Sequence, residues 1–324
     1  MHPLPFFQQQ IEEEIQKLSF GKEPADLYDP VRYMLKLGGK RIRPAMVLMS
    51  CELFDGNYRD ALPAALGIEV FHNFTLLHDD IMDKAPLRRS QQTVHTKWNN
   101  DVAILSGDAM FVVSCQLMMQ VNPKVSTQVM NHFLESALLV CEGQQWDMTF
   151  QHAADVSIAQ YLQMIELKTA ALLACSLKTG AIIANTSQEN AMLIYEFGRN
   201  LGIAFQLHDD ILDVYGDEEK FGKQSGGDIM ANKKTYLLLS ALEMATEAQS
   251  AELNRWLSLK EFDGKEKVAA VKQIFQSLGV KERAEEKMET YYEKAIAALH
   301  SLKADESKKE QLFQFASALM LRQQ

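Results

Sequence analysis

The sequence predicts an all-α protein, and three observations carry that expectation. Apolar residues recur at three- and four-residue spacing along most of the 324-residue chain, the period of helices with one buried face. No alternating strand pattern persists for more than a few residues. Pro (8) and Gly (16) are sparse, and no low-complexity or Ser/Pro-rich stretch marks a linker. Length alone would suggest about two domains. Without a linker, residues 1–324 are expected to form one domain, and a hydrophobic content of 47% is ample for a large core.

Taken in order, Phe7, Ile11, Ile15 and Leu18 mark a first amphipathic helix that ends near Gly21. A second is expected from about Pro30, a good first-turn residue, to the stop at Gly38-Gly39. Pro44 can open a third, which runs through Leu53. Helix 61–83 follows, then a polar stretch from Lys84 to Asn100, long enough to be a functional lid. Helices are expected at about 101–121 and 124–151, then from an N-cap at Asp155 to about Ala184, then at 187–213. Val214 to Asn232 reads as a second polar loop. Four or five amphipathic helices with charged outer faces follow Tyr236, with no identifiable chemistry.

One motif occurs twice. Leu77-His78-Asp79-Asp80-Ile81-Met82-Asp83 reappears as Leu207-His208-Asp209-Asp210-Ile211-Leu212-Asp213, 130 residues on (209 minus 79). Each copy closes an apolar helical run. Residues four apart share a helix face, so Asp79 pairs with Asp83 and Asp209 with Asp213. Asp80 and Asp210 sit about 100° round. Paired carboxylates repel each other unless solvent or a cation relieves them. A solvated acidic face would explain one copy, whereas two near-identical copies point to a divalent cation. All-oxygen ligands, few per ion, suit Mg²⁺ with substrate phosphate and water better than a Ca²⁺ cage.

Basic islands accompany the acids. Gly38-Gly39-Lys40-Arg41-Ile42-Arg43-Pro44 combines close backbone approach with charge-assisted donors for phosphate, although a Gly stop beside surface cations is also common. His72 lies two turns before Asp79 on the same face. Arg88-Arg89 follow the first acidic motif, and Lys223 and Lys233-Lys234 follow the second. Lys168, Thr169 and Gln206 stand inside apolar helical runs, where polar groups need partners. They could bond helix to helix, or aim a carbonyl and a hydroxyl at a transient cation.

The net charge of −10 argues against nucleic acid as a partner. Cys51, Cys115, Cys141 and Cys175 are scattered without C-x-x-C spacing, which disfavours disulfides and zinc. Met1 to Gln10 lacks the basic start and apolar stretch of a signal peptide, and no apolar run approaches the ~20 residues of a membrane span. The expectation is a soluble, cytoplasmic protein.

In order, the G-G-K-R-x-R-P island, the two D-D-x-x-D motifs, the R-R pair, the K-T dipeptide, the F-Q-x-x-D-D-x-x-D string at Phe205 to Asp213 and the late G-K…D-I…N-K resemble the trans-type prenyl diphosphate synthases, or polyprenyl synthetases. The resemblance spans Gly38 to about Thr235. It implies an isoprenoid-synthase-type bundle of antiparallel helices around a central cavity, a homodimer, and three Mg²⁺ ions. Asp79, Asp83 and Asp209 would be the main ligands, with Asp213, Asp80 and Asp210 supporting. Arg88, Lys168 and Lys233 would contact an allylic diphosphate, and Lys40, Arg43, His72 and Arg89 isopentenyl diphosphate. Lys168, Thr169 and Gln206 would stabilise the allylic cation. Phe74 and Thr75, five and four residues before Asp79, would set product length. An aromatic followed by a small residue, without an insertion in the Asp motif, resembles archaeal-type geranylgeranyl synthases, with farnesyl diphosphate the second choice.

Three further readings are weighed, of which a structural metal-binding helical bundle would leave the basic islands unexplained. A terpene cyclase would carry an Asn/Asp, Ser/Thr, Glu pattern in place of the second Asp string. A catalytically silent partner subunit would typically lack one Asp motif.

Overall fold

The computed structural model describes residues 1–216 and 226–321. Lys223 lies outside the described residues. The all-α expectation holds: among the described residues the strands are limited to one two-residue hairpin, β1 (Leu87–Arg88) with β2 (Gln91–Gln92). The helices are α1 (Leu4–Lys17), α2 (Ala25–Lys36), α3 (Ile42–Leu53), α4 (Tyr58–Met82), α5 (Val94–Lys97), α6 (Asn100–Met118), α7 (Pro123–His152), α8 (Ile158–Ile165), α9 (Ala171–Ile183), α10 (Gln188–Tyr215), α11 (Gly227–Met230), α12 (Tyr236–Met244), α13 (Glu247–Ser258), α14 (Gly264–Ser277), α15 (Val280–Ser301) and α16 (Glu306–Met320). A π-helical turn, Glu166–Ala170, joins α8 to α9.

Several boundaries differ from the sequence reading. Helix α2 starts at Ala25, with Pro24 as N-cap and Pro30 inside it, so the start signal was the earlier proline. The N-cap before α8 is Ser157, not Asp155. Ser157 and Gln160 form a reciprocal capping box, which satisfies two orphan amide groups where Asp155 would satisfy none within that turn. The expected long helix from there to about Ala184 is present as one continuous run that carries a π turn at Glu166–Ala170.

Contacts group the chain into two compact units. The first comprises Met1–Glu135, Cys175–Ile194 and Lys303–Gln311; the second comprises Ser136–Ala174, Tyr195–Leu302 and Leu312–Gln324.

The first unit is built on α4, which packs on α3 and α6. Asn57 starts α4 by accepting the Arg59 N–H at 3.2 Å. Phe71, fully buried, meets Phe133 edge-on at 5.1 Å. Gly67 lets α4 approach α6: a Cβ there would stand 3.1 Å from the Ser114 carbonyl oxygen. Helix α6 corrects the membrane-span expectation. Its 19 residues are long and apolar enough to cross a bilayer, with 39% of the apolar window buried. Ile104, Leu105, Val112 and Met119 leave an exposed apolar stripe, but Asp101 and Asp108 are exposed on the same helix. Two carboxylates make that face a poor fit to hydrocarbon.

The second unit has a core of Tyr161, Leu207, Ile211, Val214, Tyr236, Leu238, Trp256 and Phe275. Two glycines clamp the π turn within it. A Cβ on Gly143 of α7 would fall 2.2 Å from the Lys168 amide nitrogen, and one on Gly202 of α10 would fall 2.6 Å from the Ala170 Cα. Only hydrogens on both flanks allow the backbone of Lys168 and Ala170 to sit that close.

Candidate active site

In the first unit, the polar stretch after α4 is a folded platform. Ala85 N–H bonds the Asp80 carbonyl at 2.9 Å, Thr93 Oγ1 donates to the Ala85 carbonyl at 2.8 Å, and Tyr33 Oη donates to the Gln92 carbonyl at 2.7 Å. The hairpin turns through Arg89 and Ser90, with φ of 51° and 62°. Positive φ at both central residues is the twist a two-residue hairpin loop requires. Non-glycine residues pay for it locally, about 1–2 kcal/mol each. The turn sends the two arginines different ways. Arg88 grips Asp80, Nε to Oδ2 and Nη2 to Oδ1, both at 2.8 Å. Arg89 reaches the basic loop, where a Cβ on Gly39 would lie 2.9 Å from its Nη2.

That loop is held by a residue the sequence reading passed over. Arg41 is buried, with a left-handed backbone (φ 48°), and its guanidinium pairs with Glu12, buried Glu69 and the Leu35 carbonyl. Glu69 also accepts from Asn73 Nδ2 at 2.9 Å. A buried guanidinium needs this complete set of partners. With Arg41 spent inward, Lys40 is left exposed and Arg43 Nη1 lies 3.3 Å from His72 Nε2. His72 titrates well below its ordinary range, from burial first and then from Arg43, Arg89, Arg88 and Arg41. The arginines around this uncharged imidazole leave the cluster positively charged. Arg43, His72 and Arg89 are thus gathered here.

In the second unit, Asp147, Tyr161, Lys168, Thr169, Gln206, Asp210 and Lys233 line one pocket. Lys168 Nζ donates to Asp147 Oδ2 at 2.6 Å. Thr169 Oγ1 donates to Gln206 Oε1 at 3.1 Å, and Gln206 Nε2 donates to Asp210 Oδ1 at 3.1 Å. Tyr161 Oη donates to Asp210 Oδ2. Burial, then repulsion from Asp228, pushes the Asp210 carboxyl up to about 7, against the pull of Tyr161, Lys233 and Gln206. Asp228 is raised in the same way, by burial first. Lys233 Nζ lies 3.6 Å from Asp228.

The turn carrying Lys233 is anchored on both sides. Buried Lys267 donates to Asn232 Oδ1 at 2.5 Å, and Asn232 Nδ2 donates to the Leu257 carbonyl at 3.0 Å. Lys234 is spent on the C-terminal carbonyls of α7, Phe150 at 3.0 Å and Ala153. Sequence reasoning missed Asp147, Tyr161, Asp228 and Lys267. Asp147 could have been found as an acid one turn after Gly143 on an apolar face. Asp228 stands in the late D-I…N-K string without a role assigned to it, and Tyr161 and Lys267 lie too far in sequence from their partners for spacing to show them.

The two repeats share a division of labour. Asp80 and Asp210, 3% and 4% exposed, turn inward to protein donors, whereas Asp79, Asp83, Asp209 and Asp213 keep solvent access. Accessible carboxylates one turn apart fit a hard divalent cation. Among the described residues no group of three or more His, Cys, Asp or Glu gathers to hold a metal alone. Such ions would therefore complete their shells with substrate oxygens and water. Asp213 has a further duty: its Oδ2 accepts the Asp228 N–H at 2.9 Å and fixes the start of α11.

With this geometry in view, residues 24–278 match the family described as polyprenyl synthetase. The chain is 40% identical over 222 residues to the geranylgeranyl diphosphate synthase of Methanosarcina mazei, covering 68% of each protein. It is 37% identical to that of Sulfolobus acidocaldarius, over 85% of this chain and 84% of the other. A crystal structure of a geranylgeranyl pyrophosphate synthase superposes with a TM-score of 0.95 at 44% identity, covering 99% of both chains. The chain belongs to the polyprenyl synthetase family and is a prenyltransferase.

Proposed function

We propose that this prenyltransferase condenses isopentenyl diphosphate with allylic diphosphates (dimethylallyl, geranyl, farnesyl) to give geranylgeranyl diphosphate. The observation that carries this reading is the repeated acidic motif with outward acids, joined to arginine and lysine sets that can each take a diphosphate. The named relatives and the superposed structure support the twenty-carbon product. Farnesyl diphosphate is the second choice. We read residues 1–324 as working as one domain, because each compact unit is assembled from three separated stretches of chain.

Asp79, Asp83 and Asp209 would hold Mg²⁺, with three ions expected, and Asp213 in support. Bound Mg²⁺ would neutralise charge on the departing pyrophosphate. Arg88, Lys168 and Lys233 bind the allylic diphosphate and orient its C–O bond for cleavage. Lys168 is held by Asp147 until an anion competes for it. Lys40, Arg43, His72 and Arg89 bind isopentenyl diphosphate; a neutral His72 can donate to phosphate without adding charge. The Lys168 carbonyl and the Thr169 and Gln206 oxygens present negative dipoles to the allylic cation. The double bond of isopentenyl diphosphate attacks that cation, and pyrophosphate accepts the proton lost in elimination. No protein nucleophile is required. Lys223, beside the second acidic motif, would add to diphosphate binding.

The exposed stripe of Ile104, Leu105 and Val112 on α6, with Met119 just past its end, supports a homodimer, since a second copy could cover it. Sedimentation of the wild type against Leu105→Glu tests this; an unchanged mass would reject the stripe as the interface.

The central test is direct. The purified protein with Mg²⁺, isopentenyl diphosphate and dimethylallyl diphosphate should release pyrophosphate and form a twenty-carbon product. Asp79→Ala and Asp209→Ala should each lose orders of magnitude in turnover with helicity intact. Near-normal turnover in both would refute the cation-binding reading.

A further inference from the structure

Tyr161 lies outside every motif that points to function, yet it is 2% exposed and its phenol is spent on Asp210. It sits on the first turn of α8, fixed by the Ser157–Gln160 box, and it reaches a residue 49 positions away. The chain of bonds that begins at this hydroxyl ends at the reacting centre proposed above. Tyr161 O–H bonds Asp210 Oδ2. Asp210 Oδ1 accepts from Gln206 Nε2 at 3.1 Å, and Gln206 Oε1 accepts from Thr169 Oγ1 at 3.1 Å.

The direction of this chain follows from donor and acceptor inventory. With Tyr161 donating to Oδ2, the structure turns the NH₂ end of the Gln206 amide to Oδ1 of Asp210. The oxygen end is then turned toward Thr169. A carboxamide with no such partner could flip and present NH₂ where an oxygen is needed. Asp210 can serve only while its own second oxygen is satisfied. A buried carboxylate oxygen without a donor would rotate to compete for the Gln206 amide, at the expense of the present geometry.

We propose that Tyr161 is a positioning residue for prenyl transfer, which holds the Asp210 carboxylate so that Gln206 presents its carbonyl oxygen, not its NH₂, beside Thr169. The proposal rests on the reading of Gln206 as a cation-stabilising group. Its partner in the first repeat differs in kind: Asp80 is held by the cation Arg88, Asp210 by a neutral phenol.

Two measurements test it, and one does not depend on turnover. In a crystal structure of Tyr161→Phe, the Gln206 carboxamide should leave Thr169 or flip. Retention of both 3.1 Å contacts overturns the proposal, whatever the protein catalyses. In kinetics, Tyr161→Phe should lower kcat on the order of 10²-fold, as misplaced groups do, with the KM for isopentenyl diphosphate nearly unchanged. In a Gln206→Leu background the same substitution should cost little more, because the two act through one group. Full additivity overturns the proposal. Asp210→Leu provides a second route if Tyr161→Phe folds poorly. It removes the acceptor that fixes the NH₂ end of Gln206, so the Gln206 amide should flip or leave Thr169, and an unmoved amide overturns the proposal. A wild-type protein that fails to make prenyl product would instead reject the cation-stabilising reading of Gln206.

Discussion

Arg88 and Asp80 form a two-pronged ion pair, with both hydrogen bonds at 2.8 Å and the carboxylate side chain only 4% exposed. The fork uses Nε and Nη2 and aims the plane of the guanidinium, so that Nη1 is directed by a rigid partner. Lysine has no second prong. Arg88→Lys and Asp80→Asn should therefore both raise the KM for the allylic diphosphate, on the order of tenfold for loss of a charged hydrogen bond. The KM for isopentenyl diphosphate should move little, because Arg89 leaves the hairpin toward Gly39. Steady-state kinetics with each substrate varied in turn checks this. Equal shifts in the two KM values would reject separate diphosphate pockets.

The π turn makes a prediction in which two effects oppose. Gly143→Ala should gain about 1 kcal/mol of helix propensity in α7. The added Cβ would stand 2.2 Å from the Lys168 nitrogen and 2.7 Å from the Leu167 carbonyl carbon, which are backbone atoms that cannot rotate away. Overpacking costs typically about 1–3 kcal/mol, so the clash should win. The expected outcome is a lower Tm, with kcat falling further than the lost stability explains, because Lys168 and Thr169 are displaced. A Tm equal to or above wild type would show that α7 can shift without consequence.

The sequence showed the chemistry better than its support. Asp79, Asp209, Arg43, Arg88, Lys168 and Gln206 stand in short motifs whose residue types announce phosphate and metal. Helix periodicity gave α1, α4, α7 and α10 to within a few residues. The supports are invisible to local reading because they are long-range. Arg41 needs Glu12 and Glu69, Tyr161 needs Asp210, and Lys267 needs Asn232; no spacing rule links residues 28 to 49 positions apart. The π turn escaped for another reason. Its sequence, Glu166–Ala170, is ordinary helix former, and only the close approach of Gly143 and Gly202 reveals it.

Stability should fall in acid through His132. Its ordinary value is 6.5, and burial, then Lys178, pulls it down to about 4 in the folded protein. Between those values the unfolded chain binds a proton that the folded chain refuses, so lowering the pH favours unfolding. The loss grows from about pH 6.5 to pH 4 and then stops, reaching about 3 kcal/mol from this residue. His72 acts in the same direction. Urea unfolding of wild type and His132→Gln at pH 7 and pH 4.5 measures the difference. The variant should lose less stability on acidification, and parallel losses would remove His132 as a cause.

Product length should depend on Phe74. It lies five residues before Asp79, about 7.5 Å along α4. Its half-buried ring packs at 5.5 Å from Phe71, 5.7 Å from Phe111 and 4.7 Å from His78, so it is braced by α6 as well as by its own helix. A floor that must stop a growing prenyl tail needs such bracing, since an unbraced ring would swing aside. Thr75 is small, and its hydroxyl donates back to the His72 carbonyl at 2.8 Å, which keeps it against the helix. One bulky residue and one tucked residue suit a chain longer than fifteen carbons. Phe74→Ala should then lengthen the main product by one or more five-carbon units, read by chromatography of the dephosphorylated alcohols. Thr75→Phe should shorten it toward fifteen carbons. If Phe74→Ala retains activity and yields the wild-type distribution, Phe74 is a packing residue of the α4–α6 contact and the limit to chain growth lies elsewhere.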